Sequence, residues 1–217
     1  MKGWPFLVLL AACASEKIAS GLVLEARGEV RCNGEAIGPG DEVFSGDEIQ
    51  VDRGRLEIEV VDVGRMRIFE STKLQLSGKP HAHRLLLASG MVWALVTKLG
   101  HDTFEIEGQN AVAGVRGTEF IVEATDGDDD VRVTKGEVEV VSKHDSTSRR
   151  ATAGERVRTK RRAAPSAPER YDNTTDHARW SDLRQATSEI KNGFKKGGRA
   201  IRDESRNVGR KLRNLFR

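Results

Sequence analysis

Aromatic residues make up only 5% of this 217-residue chain, and there is a single tyrosine. With so few large apolar side chains, and 32% charged residues, a hydrophobic core can occupy only part of the length. Cysteine is scarcer still: Cys13 and Cys32 are too few for a disulfide framework. The longest apolar run, near the N-terminus, is far too short to span a bilayer as a helix. Helix signals are sparse between Gly21 and about Glu155. No Ser/His/Asp, Cys/His or paired-acid constellation stands out, which argues against an enzyme. The histidines show no ligand spacing beyond His81-Ala82-His83. One such pair makes no closed zinc site, so beside Pro80 the two read as exposed loop residues. Neither a metal nor another cofactor is expected.

Charge is unevenly spread. The formal net charge is +3, but Arg179 to the C-terminus holds 12 Lys and Arg against 4 Asp and Glu. That tail carries about +8, which leaves about −5 for everything before it. A mildly acidic body therefore bears a basic appendage.

What the body does contain is β signal. Short runs alternate apolar and charged residues between glycines and acidic turns. Leu56, Ile58 and Val60 alternate with Glu57 and Glu59. Phe104 and Ile106 alternate with Glu105 and Glu107. Gly38-Pro39-Gly40-Asp41 and Ser45-Gly46-Asp47 are turn sequences. Leu85 to Leu87 and Met91 to Val96, with Trp93, are apolar throughout, as central strands are. Asp126 to Asp130 reads as a solvated acidic hairpin tip. It lacks the glycine and terminal glutamate spacing of an EF-hand loop. Cys32 reads as an inert, partly buried thiol.

The stretch Asn110 to Glu123 organises the rest. It reads as strand, glycine turn and strand. Gly114 and Gly117 bracket Arg116. Paired glycines suggest backbone that passes close to other backbone or takes positive φ. A semi-buried guanidinium between them must have partners. Arg116 is therefore expected to pin two β layers together rather than to serve a reaction.

At the N-terminus a lone Lys2 precedes Trp4 to Ala12 and then Cys13. Leu10-Ala11-Ala12-Cys13 resembles the bacterial lipobox. The resemblance implies a signal peptide over 1–12, a diacylglyceryl group on Cys13 and a polar tether over 13–20. Two acyl chains give stable anchoring where one is marginal. Ala14 following the cysteine is not the aspartate that retains lipoproteins at the inner membrane in enteric bacteria. The expected location is the cell envelope, lipid-anchored at the outer membrane and facing the periplasm.

The order of blocks in the body carries a second resemblance. Gly28-Glu29-Val30 comes first, then Val43 to Ile49, Leu87 to Trp93 and Phe104-Glu105-Ile106. Ala113-Gly114-Val115-Arg116-Gly117-Thr118-Glu119-Phe120 follows, then Val133 to Val140 and Ala153-Gly154-Glu155. This resembles the FecR domain over about residues 21–157. Gly114, Arg116, Gly117, Thr118 and Phe120 fall in its most recognisable block. The resemblance implies an extracytoplasmic, protein-contacting, all-β domain with no catalytic residues, here either a β-sandwich or a short β-solenoid. The best-known members relay transporter occupancy to a sigma factor through a cytoplasmic anti-sigma segment and a transmembrane helix. This sequence shows neither, so the domain, and not the whole relay, is expected.

Residues 158–178 read as a linker with Pro165 and Pro168. Over 179–217 the period becomes helical. Trp180, Leu183, Ile190, Phe194 and Ile201 begin an apolar stripe amid Lys and Arg. A C-terminal amphipathic basic helix is expected, weakened by Gly193, Gly197, Gly198 and Gly209 at about 1 kcal/mol each. The sequence thus points to a non-catalytic envelope lipoprotein whose FecR-like domain binds another envelope protein, in signalling or scaffolding. The alternative is an envelope structural protein whose tail binds anionic lipid or another polyanionic surface. Nucleic acid is not an expected partner for a chain outside the cytoplasm.

Overall fold

The computed structural model describes residues 19–60, 63–79, 82–97, 103–115, 117–172 and 174. Every element formed among them is a β-strand. The chain divides into two units, Met1–Tyr171 and Asp172–Arg217, and all the strands belong to the first. The expected signal peptide, Cys13 and the expected amphipathic tail lie outside the described residues.

Three strands are long: β1 (Ala19–Cys32), β4 (Glu48–Val60) and β7 (Ala82–Val96). Around them sit β2 (Glu35–Ala36), β3 (Glu42–Phe44), β5 (Gly64–Phe69) and β6 (Thr72–Lys79). β4 pairs along its length with β1, and its other edge takes β6 and then β5. Both of those pair in turn with β7.

Each long strand bends in its middle, and the bends line up. Gly28 of β1 faces Gly54 of β4, with φ of 85° and 90°. Ser71, between β5 and β6, has φ 58°, and Gly90 of β7 has φ 93°. A Cβ on Gly54 would fall on the Arg27 carbonyl oxygen, and one on Gly28 on that of Arg53. Only glycine meets both demands at this pair. The bends also shift which residues face inward. In β4 the residues that face the core are Ile49 and Val51, then Leu56, Ile58 and Val60. In β7 they are Leu85 and Leu87, then Val92, Ala94 and Val96. The alternation changes parity across each bend, as an inserted bulge residue requires. The apolar faces on both sides of the line therefore close over one core. A side chain such as Leu56 or Ile58, fully buried there, contributes about 1.5–3 kcal/mol.

Beyond β7 the sheet forks. The first half of β7 pairs in parallel with β8 (Thr103–Glu107), and the second half pairs antiparallel with β10 (Glu119–Thr125). One arm continues from β8 through β9 (Ala111–Val115) and β12 (Glu137–Ser142) to β13 (Ser148–Thr152). The other continues from β10 through β11 (Asp128–Lys135) and β14 (Glu155–Lys160) to β15 (Glu169–Arg170). Phe104, Ile106, Ala113, Val138 and Val140 of the first arm share the core with Phe120, Val122, Val131, Val133 and Val157 of the second.

The opposite face of the second arm is also closed. Glu57, Arg67, Trp93 and Ile121 are successive register partners across four strands, and all four are buried. The Glu57 carboxylate accepts from Arg67 Nε at 2.8 Å and also from its Nη2. A buried pair of this kind survives only because each charge has the other.

The body is longer than the sequence suggested. Residues 158–171, read as linker, contain the end of β14 and all of β15. Ser166 N–H donates to the Arg158 carbonyl (2.8 Å) and Tyr171 N–H to that of Gly154 (3.1 Å). Pro165 is buried, so this proline packs rather than marking free chain. Consecutive strands pair antiparallel over most of the sheet, with β7 and β8 the one parallel pair among the described strands. Such pairing is not the stacking of parallel coils in a β-solenoid.

Candidate functional site

The block singled out in the sequence sits where the chain crosses from one arm to the other. β9 belongs to the first arm and β10 to the second, and Gly117 and Thr118 precede β10 where the chain arrives from the first arm. Gly117 takes φ 66°. Thr118 is buried, donates its hydroxyl to the Glu137 carbonyl (2.9 Å), and accepts the Val96 N–H at its own carbonyl (2.9 Å). One threonine thereby ties the end of β7 to the start of β12. Phe120 is fully buried in the core, opposite Ala94 and Val133. Arg116 lies outside the described residues, so the expected pin is not placed.

Gly114 departs from the expectation. Its φ is not positive, and a Cβ there would meet nothing within 4 Å. Neither close backbone nor special geometry calls for glycine at this position. Its register partners are Glu105 and Glu139. The missing side chain leaves an open depression of about 320 Å³ lined by these two, Thr103, Glu137 and Arg150.

Two more crossovers repeat the pattern. Gly136 (φ 87°) lies between β11 and β12, and Gly154 (φ 83°) between β13 and β14. A Cβ on Gly136 would crowd Thr118 Oγ1 at 3.1 Å, so the first two crossovers stack on each other. Gly154 N–H donates to the Val133 carbonyl (2.8 Å). Glu155 Oε2 accepts from both the N–H and the hydroxyl of Thr152 (2.8 Å each). Those bonds hold its carboxyl below the usual glutamate range. The recurring Arg-Gly-Thr, Lys-Gly-Glu and Ala-Gly-Glu blocks are thus the three points where the chain changes arm.

The acidic tip needs a correction. Asp126 and Gly127 form the β10–β11 turn, but Asp129 is not solvated: it is 1% exposed. Its carboxylate accepts from the backbone N–H groups of Gln109 (3.1 Å), Asn110 (2.6 Å) and Ala111 (2.8 Å). Asn110 Nδ2 returns a bond to the Gly127 carbonyl (3.1 Å). A Cβ on Gly108 would sit 2.6 Å from the Asp129 carboxylate. Asp129 therefore clasps the β8–β9 turn of one arm to β11 of the other. Burial pushes its carboxyl above the ordinary value, against the pull of those three donors and of Lys143. Asp130 is likewise raised by burial, opposed by Arg132 and Arg156. Sequence reasoning missed this clasp because a run of aspartates carries no sign of which one turns inward. His83 also differs from expectation, since it lies half-buried within β7; His81 is outside the described residues.

A second open cavity, of about 370 Å³, lies at the fork. The last β7–β8 pair is Leu86 with Glu107, and the first β7–β10 pair is Gly90 with Ala124. Between them Gln109 Nε2 donates to the Ala88 carbonyl (2.8 Å). Leu86 and Ala88 form an apolar floor. Lys73, paired with Glu48 (3.0 Å), and Lys143, paired with Glu107 (2.6 Å), stand on the rims. Balanced charges around an apolar floor suit a protein surface better than a small anion. Among the described residues no group of three His, Cys, Asp or Glu comes together to hold a metal.

The family model described as FecR protein matches residues 47–139. Two crystal structures of a candidate anti-sigma factor from Parabacteroides distasonis ATCC 8503 have a similar fold. The 1.65 Å structure gives a TM-score of 0.51 at 19% identity, over 58% of this chain and 60% of that one. The 2.50 Å structure gives 0.53 at 18%, over 61% and 63%. The chain therefore spans about three-fifths of the length of these structures, and at such identity the likeness concerns the fold. No curated protein matches the sequence.

Proposed function

We propose that the chain, whose residues 47–139 match the FecR family model, is a non-catalytic lipoprotein of the bacterial envelope whose body is a protein-binding module in signalling. The observation that carries the reading is the match over β4 to β12. The fork cavity adds support, since it offers a rigid apolar floor edged by salt-bridged lysines. The body is best described as a folded β-sandwich, and it holds the partner while the lipidated Cys13 holds the body at the membrane. Signalling is preferred to scaffolding because the fold is shared with a protein described as a candidate anti-sigma factor.

Two measurements test this. A photo-crosslinking residue at Ala88 should trap one envelope protein in living cells, and the same residue at exposed Leu22 should not. Identical products from both positions would remove the fork cavity as a docking surface. Metabolic labelling with an alkynyl fatty acid should mark the parent and not Cys13→Ser. Equal labelling of the two would sink the anchor.

The second reading, a structural protein that grips a polyanionic surface through residues 179–217, is favoured by the charge of the tail. Deletion of residues 176–217 separates the two. If trapping at Ala88 survives the deletion, the module works without the tail.

A further inference from the structure

We propose that the turn Lys160-Arg161-Arg162, together with Arg149, is a docking patch on the β body for an anionic lipid surface. The inference starts from a contrast in how arginines are matched. Most of the body's arginines stand on carboxylates, among them Arg53 on Glu29 (2.9 Å), Arg84 on Glu105 (2.7 Å), Arg132 on Glu123 (2.7 Å) and Arg156 on Glu169 (2.8 Å). Arg149, Lys160, Arg161 and Arg162 are all exposed, and none has a carboxylate partner among the described residues.

The fold gathers them at one end. Ser142 Oγ donates to the Ala163 carbonyl (3.2 Å), which sets the turn after β14 against the end of β12. Arg149 lies on the adjacent β13, opposite Val140. Arg161 N–H donates to the Gly127 carbonyl (2.7 Å) and Ala163 N–H to that of Lys160 (3.1 Å). The turn is thus fixed by its backbone, and its side chains are left to solvent. Three carboxylates lie nearby. Asp145 is engaged by Thr147 (2.7 Å). Asp128 is the register partner of Lys160, and Asp126 is in the turn beside it. Neither pairs with the four cations.

The patch lies at the Lys160 end of β14. The chain leaves the body at the other end of β14, where Tyr171 N–H meets the Gly154 carbonyl. Four cations on separate side chains, pinned to a rigid surface, suit an array of phosphate headgroups. Each cation near such a surface is worth about 1 kcal/mol, or roughly a fivefold change in affinity. The inference deepens the membrane side of the proposed function but does not need the lipid anchor.

The test uses the full chain carrying Cys13→Ser, so that no acyl group contributes. It measures flotation with phosphatidylcholine vesicles holding roughly one-third phosphatidylglycerol. Neutralising the turn (Lys160→Gln, Arg161→Gln, Arg162→Asn) should weaken binding about 100-fold, from roughly fivefold per cation. The exchange Lys160→Arg, Arg161→Lys, Arg162→Lys should keep it within about threefold, since it preserves charge and controls for folding. Neutralising the ion-paired Arg53 and Arg84 should change it by less than about twofold, because their charge is already compensated. A turn variant that binds within twofold of its parent overturns the patch. So does an equal loss from the Arg53 and Arg84 variant, which would mean that net charge alone is read. So does a parent that captures an acidic peptide but not the vesicles.

Discussion

The bends of the three long strands and the crossovers of the two arms use glycine in opposite ways. In β1, β4 and β7 a glycine sits inside a strand, and pairing runs on through it. In the arms, Gly117, Gly136 and Gly154 stand between strands and end the pairing. All take positive φ, so the conformational need is the same. What differs is the neighbourhood. Gly54 has another strand's backbone where its side chain would be, whereas Gly154 has nothing within 4 Å. An in-strand bend is enforced by sterics and conformation together, and an open crossover by conformation alone.

The largest expected effect breaks the bend. Gly54→Ala adds a collision with the Arg27 carbonyl to the strain of φ 90°. It should cost about 4 kcal/mol or prevent folding. Urea denaturation measures it, and a loss under about 1.5 kcal/mol would remove the distinction drawn above.

Next comes the clasp between the arms. Asp129→Ala leaves three backbone donors without their acceptor and should cost about 3 kcal/mol. The pH dependence sharpens the point. Burial raises the folded-state value of this carboxyl, so the folded protein binds the proton more readily than the unfolded chain. Its titration therefore supports the fold below the ordinary carboxylate value and weighs against it as the pH rises through the raised one. Over that window the stability of the parent should fall more steeply with pH than that of Asp129→Asn. Parallel curves would contradict the burial argument.

Smaller effects belong to the crossovers. Gly154→Ala meets only the strain of φ 83° and should cost about 1 kcal/mol. If it proves as damaging as Gly54→Ala, open surroundings give no relief. Smallest is Gly114→Ala, where neither strain nor collision arises. It should leave stability unchanged or raise it by about 0.5–1 kcal/mol. A clear loss would show that the depression beside Glu105 and Glu139 is part of the fold.

Much of the strand content was legible in the sequence, because alternation marks a half-buried strand whatever its neighbours. Leu56, Ile58 and Val60 read correctly for that reason. The continuity of β4 and β7 was not legible. Ile49 and Val51 are out of phase with Leu56, as Leu85 and Leu87 are with Val92, and a phase change looks the same for a bulge as for a new strand. The order of the Arg-Gly-Thr, Lys-Gly-Glu and Ala-Gly-Glu blocks was readable, but their shared role as crossovers was not. That role depends on which strands pair across the core, and pairing at long range leaves no local mark. The inward turn of Asp129 and the extension of the body to Tyr171 were hidden alike. Each rests on a bond between segments distant in sequence.

The alternation of arms bears on how such a chain can come to be folded. Strands are delivered two at a time, β8 and β9 to one arm, β10 and β11 to the other, then β12 and β13 back to the first. Neither arm can be finished before the other is begun. A cut at either of the first two crossovers would strip strands from both arms, and a cut at the third would strip the second arm alone. The stretch matched by the family model ends at Glu139, within β12, and begins at Asp47, so it leaves out β1, the partner of β4. The segment by which relatives are recognised is therefore smaller than the segment that folds.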